Sequence, residues 1–114
     1  MTIYIVQGRY TIDGIKGMIA NPEDRAPAVR ALMEGAGAKL IHYYVTFGEY
    51  DFMTIVESPA GHEVDVMATL LAAAASGGVA HLKTTIAVTS ADAKNAMAGA
   101  KKLAKGFRGA GQKK

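Results

Sequence analysis

The stretch Lys39–Glu57, KLIHYYVTFGEYDFMTIVE, decides the fold. Its opening KLIHYYVTF (39–47) and its closing DFMTIVE (51–57) are rich in β-branched and aromatic side chains, the composition of strands. Between them Gly48-Glu49 predicts a tight reversal, with Gly48 able to take the positive φ of a type II′ turn. The segment therefore reads as an antiparallel hairpin. A two-residue loop sets Phe47 opposite Tyr50, and a three-residue loop sets Phe47 opposite Asp51. The two registers put Asp51 on opposite faces, and the sequence leaves both open.

Before the hairpin, Thr2–Tyr10 (TIYIVQGRY) has strand composition, with Gly8 as an irregularity that marks a bulge or a close approach. Thr11 or Asp13 then caps a short helical turn through Ala20. Asn21-Pro22-Glu23-Asp24 predicts the start of a longer helix: a cap oxygen, a proline for the first position, and two acids for the positive end of the dipole. Val29, Leu32 and Met33 follow at helical spacing, and Gly35 and Gly37 close the run. Pro27 conflicts with that start, because inside a helix it removes a hydrogen bond and clashes with the preceding turn. The regular helix therefore begins near Arg25 or kinks there.

After the hairpin, Ser58-Pro59 repeats the cap-then-proline signal and opens a helix carrying Val64, Met67, Leu70 and Leu71. Ser76-Gly77-Gly78 closes it, and Val79–Thr89 reads as a fourth strand. Thr89 with Asp92 predicts a capping box before an Ala-rich helix from about Ala91 to Ala104. The order β-α-β-β-α-β-α predicts an α+β, ferredoxin-like chain: a four-stranded antiparallel sheet, both main helices on one face, and a C-terminal helix. Along the second strand both alternating sets are apolar, Ile41, Tyr43, Val45 and Phe47 on one and Leu40, His42 and Tyr44 on the other. A sheet with one face in water alternates apolar and polar, so the second face is expected to be covered. The simplest cover is another copy in a two-fold homodimer.

At Thr46-Phe47-Gly48-Glu49-Tyr50-Asp51 the chain resembles the GYD-domain family, named for its Gly-x-Tyr-Asp motif. The opening strand, Asp13-Gly14-Ile15-Lys16 and Ile55-Val56-Glu57 support the resemblance, which covers roughly residues 2–95. It implies a ferredoxin-like fold of the dimeric α/β-barrel kind and says little about activity. By fold alone, haem-binding barrels and cofactor-free oxygenases or isomerases stand near it, an analogy that carries no function across. The domain is expected over residues 1–104, followed by a basic flexible tail over 105–114.

Five residues are the ligand-binding candidates: Arg9, His42, Tyr44, Tyr50 and Asp51. Asp51 suits a general base and Tyr50 a proton donor at a pocket mouth. Equally, Asp51 suits acceptance of backbone N–H groups around the hairpin, with the Tyr50 ring packed across the strand. Arg9 and Lys83 stand on strands expected to be neighbours, facing an anionic ligand or paired with Glu57 or Asp51. His42, His62 and His81 have no metal-ligand spacing, so no metal or cofactor is expected. His42 beside Tyr44 reads as a half-buried interface residue. The methionines stand at core-like positions and read as packing.

The composition narrows the classes further. No cysteine is present, which removes disulfide and thiolate chemistry. From Lys101 onward there are six basic residues and no acid, while the first hundred residues carry a net −3, so the +3 of the chain resides in its tail. That tail is a solvated end or a weak polyanion contact, and no sequence-specific nucleic-acid signature is present. The apolar run Met67–Ala75 is too short for a bilayer and no signal-peptide pattern opens the chain, so a cytoplasmic location with no membrane partner is expected. Two functions fit: a homo-oligomeric small-molecule-binding or accessory protein, or a cofactor-free oxygenase or isomerase acting on a small aromatic or quinone-like compound. The Ala-rich last helix is expected to lie across a neighbouring subunit or close on its own sheet.

Overall fold

The strand nearest the amino terminus becomes the centre of the molecule. In a computed structural model, which describes residues 1–113, β1 (Thr2–Tyr10) pairs antiparallel with β3 (Phe52–Ser58) on one side and β4 (Val79–Ala87) on the other. β2 (Lys39–Val45) pairs with β3 and completes the order β2-β3-β1-β4. Lys114, the last residue of the expected basic tail, lies outside the described residues. α1 (Ile12–Ala20) and α2 (Ala26–Gly35) form the first crossover, and α3 (Glu63–Ala75) the second. α4 (Ser90–Ala104) follows β4. This is the expected ferredoxin-like arrangement, with the core between one sheet face and the helices. Tyr4, Val6, Met33, Leu40, Val56 and Val66 fill that core.

Local chemistry sets the helix starts, and two differ from expectation. Thr11 caps α1 by accepting from the Gly14 N–H at 3.0 Å, and α1 runs nine residues to Ala20, the end the sequence predicts. Asn21 is consequently the C-cap of α1 and does not start α2. α2 begins at Ala26, which leaves Pro27 in the first turn, where its missing N–H costs nothing. Ser58 stays inside β3, fully buried, and α3 begins only at Glu63 without a side-chain cap. Thr89 caps α4 as the sequence predicts, accepting from the Asp92 N–H at 3.1 Å.

Two β-bulges decide which side chains face the helices. In β2 the register shifts between Leu40 and His42, leaving Ile41 as the extra residue. Leu40 stands opposite Val56 and Tyr43 opposite Thr54, so both face the helices, while His42 and Tyr44 face away. The strict alternation expected from the sequence, with Leu40 on the side of His42, is therefore broken at Ile41. In β4 two residues, His81 and Leu82, stand against Gly8, and His81 takes a left-handed φ of 53° to do so. Gly8 answers both sequence expectations at once. It sits at a bulge, and a Cβ there would lie 2.5 Å from Phe52 Cζ and 2.7 Å from Leu82 Cδ2.

The other sheet face is uncovered in the single chain. Ile3 and Ile5 of β1, Met53 and Ile55 of β3, and Tyr44 of β2 share it by register. Gly8→Ala is expected to lower stability by about 1–3 kcal/mol, the usual cost of overpacking. A urea midpoint unchanged from that of the parent chain would show that Phe52 does not need the space.

Candidate functional site

Between the helix-facing side of the sheet and α1, α2 and α3 lies a pocket of about 680 Å³. Val6, Phe52 and Leu82 form its apolar floor, and Val29, Leu32 and Leu70 its helical wall. Its far wall is held by one hydroxyl. Thr11 Oγ1 donates to the Gly77 carbonyl at 2.6 Å while accepting from Gly14, and the Thr11 N–H donates to the Gly78 carbonyl at 3.0 Å. Gly14 lies so close to that turn that a Cβ would stand 2.3 Å from the Gly78 carbonyl oxygen. The start of α1 is thus fixed to the loop joining α3 and β4.

The pocket's polar groups divide into spent and unspent. Thr54 donates to Val6 O at 3.4 Å and Thr69 donates to Val66 O at 2.6 Å, so both floor hydroxyls are satisfied within the fold. Tyr10 and Tyr43 join their phenol oxygens in a short hydrogen bond. Their rings stand against Phe52, with centroids 5.3 Å and 6.1 Å away. A phenol pair has two protons and uses one between its oxygens, so one O–H remains to donate. Burial, reinforced by the bond with Tyr43, holds the Tyr10 phenol well above the usual tyrosine pKa, with the charge of Arg25 acting in the opposite sense. Arg25 lies on the rim, paired with Glu23 at 2.7 Å, with Asp13 and Asn21 nearby in the lining.

The five sequence candidates fall elsewhere, and none of them lines this pocket. Arg9, His42 and Tyr44 belong to the uncovered sheet face by register, with the His42 and Tyr44 rings stacked at 5.4 Å. Tyr50 is half-buried in the hairpin loop, and Lys83 Nζ approaches its ring to 6.0 Å. Asp51 is committed to backbone. Its Oδ2 accepts from the Tyr10 N–H at 2.9 Å, and its own N–H donates to the Gly8 carbonyl at 2.8 Å. The hairpin follows the register that sets Phe47 opposite Tyr50, yet the ladder stops early. Thr46 N–H donates to Asp51 O at 2.8 Å and Thr46 Oγ1 to Tyr50 O at 2.6 Å, enclosing a four-residue loop, Phe47 to Tyr50. Gly48 has no left-handed φ, so the expected type II′ turn is absent.

Sequence reasoning missed Tyr10, Tyr43 and Arg25. Tyr43 could be placed only by locating the Ile41 bulge, whereas the helix start near Arg25, one of the two the sequence offers, is the one the fold takes, and that start does not by itself mark Arg25 as a pocket residue. Among the described residues no cluster of three or more histidines and acids is arranged to hold a metal ion. Asp51→Ala is expected to cost about 1–3 kcal/mol by leaving the Tyr10 amide unpaired, with Asp51→Asn, which keeps an acceptor oxygen, costing less. Chemical denaturation of both variants checks the order.

No curated protein matches the chain. Two solved structures are similar in part. FFRP-DM1 is 18% identical with a TM-score of 0.46, covering 77% of this chain and 100% of that one. The hypothetical protein PHS023 from Pyrococcus horikoshii is 18% identical with a TM-score of 0.46, covering 78% of this chain and 92% of that one. The GYD domain profile matches residues 4–97, which takes in the sheet except Thr2 and Ile3, α1 to α3, the hairpin and the first half of α4; the chain belongs to the GYD domain family.

Proposed function

We propose that the protein is a homo-oligomeric binding or accessory protein that holds a small, flat organic molecule bearing a carbonyl or carboxylate acceptor. The observation that carries this reading is the apolar pocket of about 680 Å³ whose lining offers two donors, the spare phenol O–H of the Tyr10–Tyr43 pair and the Arg25 guanidinium, which also pairs with Glu23. Its volume lies within the range of about 300–1,000 Å³ usual for small-molecule sites. Aromatic and quinone-like compounds have that shape and those acceptors. The alternative of a cofactor-free enzyme draws no support from the same geometry, since His42 and Asp51 stand outside the pocket.

Assembly is the second part of the proposal. The chain exposes 8143 Å². A folded monomer of 11.9 kDa is expected to expose about 6,000 Å². The excess, roughly 2,000 Å² on each chain, exceeds the roughly 800 Å² that one partner buries in a standard interface and falls in the range of large homodimer contacts. Pairing of the open faces would cover Tyr44, 50% exposed, together with the half-buried Ile3, Ile5, Met53 and Ile55. The partners proposed are therefore a second copy and a small organic ligand, with no nucleic acid or membrane. Among the described residues no helix is long and apolar enough to cross a membrane.

Titration of the full chain with 2-naphthoate, 1,4-naphthoquinone and naphthalene, followed by NMR of the tyrosine rings, tests the pocket. The two acceptor-bearing probes are expected to shift Tyr10 and Tyr43 and to bind more tightly than naphthalene. Tyr43→Phe is expected to weaken their binding about fivefold, near 1 kcal/mol for one hydrogen bond. Shifts confined to His42 and Tyr44 would move the site to the open face and end this reading.

The raised Tyr10 pKa has a definite consequence for stability. The folded state favours the neutral phenol, so this contribution is full below the unfolded value of about 10 and is lost as pH rises through the folded one. Urea melts at about pH 8 and about pH 11 are expected to show a smaller alkaline loss in Tyr10→Phe than in the parent chain.

A further inference from the structure

Two helical surfaces stand unmatched on their own chain. α4 is exposed along its length, with Ala93 alone half-buried. The molecule extends 65 Å along its long axis against 30 Å and 22 Å across. On α4, Ala93, Met97, Ala100 and Ala104 recur at helical spacing, with Leu103 beside them. α3 buries Val66 and Thr69 against the body and turns Val64, Met67 and Leu71 outward, 79%, 60% and 64% exposed. Of the apolar residues the sequence places on this helix, Leu70 packs against the core and these three face solvent. We propose that α4 of one copy docks antiparallel on the outward face of α3 of a second copy.

Charge and direction identify the occupant. α3 carries Glu63 and Asp65 in its first turn, whereas α4 carries Asp92 in its first turn and Lys101 and Lys102 in its last. Antiparallel packing sets the acidic end of α3 against the basic end of α4 and opposes the two helix dipoles. Parallel packing would bring Asp92 onto Glu63 and Asp65. The topology limits what the same chain can offer. β3 ends at Ser58, paired with Thr2, and β4 ends at Ala87, paired with Ile3, so α3 and α4 leave the sheet from the same end. Folding α4 back on its own α3 therefore runs the two helices parallel, the sense that charge disfavours. A second copy supplies the antiparallel one.

Side-chain size fits that direction as well. With Val64 set against Leu103, Met67 meets Ala100 and the Ala74 end of α3 meets Ala93. Small residues on α4 then let the larger α3 side chains approach its backbone closely. This interface lies on the helix side of the molecule and does not draw on the pairing of the open sheet faces.

The chain contains no cysteine, so introduced thiols report contact cleanly. Full-length Val64→Cys and Leu103→Cys, carrying different tags, would be mixed under mild oxidation. A mixed-tag disulfide dimer is expected, well above the yield given by Lys16→Cys, an exposed control position on α1, in place of Leu103→Cys. Adding Lys101→Glu and Lys102→Glu is expected to cut that yield several-fold, and Glu63→Lys in the other chain to restore part of it. A single chain carrying Val64→Cys and Ala93→Cys probes the parallel fold-back. An intrachain disulfide there, or a mixed-tag yield no better than the control, overturns the proposal.

Discussion

The ring of Phe52 lies against the backbone of Gly8, and the arrangement of both sheet and pocket depends on that contact. Phe52 opens β3 directly opposite Gly8 at the sheet centre. With no Cβ at Gly8 the ring can lie flat on the strand, where any other residue would push it outward. Tyr10 and Tyr43 then find a buried aromatic surface to stand against, close enough to join their phenols. The same place is fastened along the strand ends. Asp51, next to Phe52, donates to the Gly8 carbonyl and accepts from the Tyr10 amide. The acid of the Gly-x-Tyr-Asp motif thus holds the strand that carries the pocket's tyrosine, and it reaches the pocket only through that strand.

How far the sequence foretells this differs from one element to the next. The hairpin, the four strands and the antiparallel order are legible because β-branched and aromatic runs are bounded by turn residues with known geometry. Thr89 and Thr11 are legible as caps for the same reason. The start of α2 is harder, because Asn21-Pro22-Glu23-Asp24 imitates a helix start that Pro27 forbids five residues later. The Ile41 bulge leaves no mark in composition, yet it reverses the facing of every β2 residue after it. That single residue puts Tyr43 on the pocket side with Leu40 and turns His42 away. Asp51 was legible as a turn-stabilising acid, but its partner on a strand 41 residues away was not.

The outward stripe of α3 shows how a short chain spends its apolar residues. Among the described residues only eight hydrophobic ones are buried, so the core is too small to take in every helix face. Val66 and Thr69 occupy the inner side of α3, where a small contact against the sheet leaves room for the pocket. Val64, Met67 and Leu71, the bulkier set, are displaced to the outside. Exposed side chains of this size, continuous along a helix, mark a surface that meets another surface. A pocket on one side of the helix layer and apolar stripes on the other therefore arise from the same shortage of core.

The unspent groups also limit how selective the pocket can be. A site that must donate to its ligand rejects analogues without an acceptor, because buried donors are then left unpaired. In this pocket the penalty is softened. Tyr10 and Tyr43 already satisfy one another in part, and Arg25 already has Glu23, so an apolar ligand strands one O–H and no bare charge. Shape, set by Phe52 on the floor and the Gly14–Gly78 contact at the wall, consequently does more to select a ligand than hydrogen bonding does. Under the proposed function, such a pocket would take a family of flat, acceptor-bearing molecules more readily than a single one.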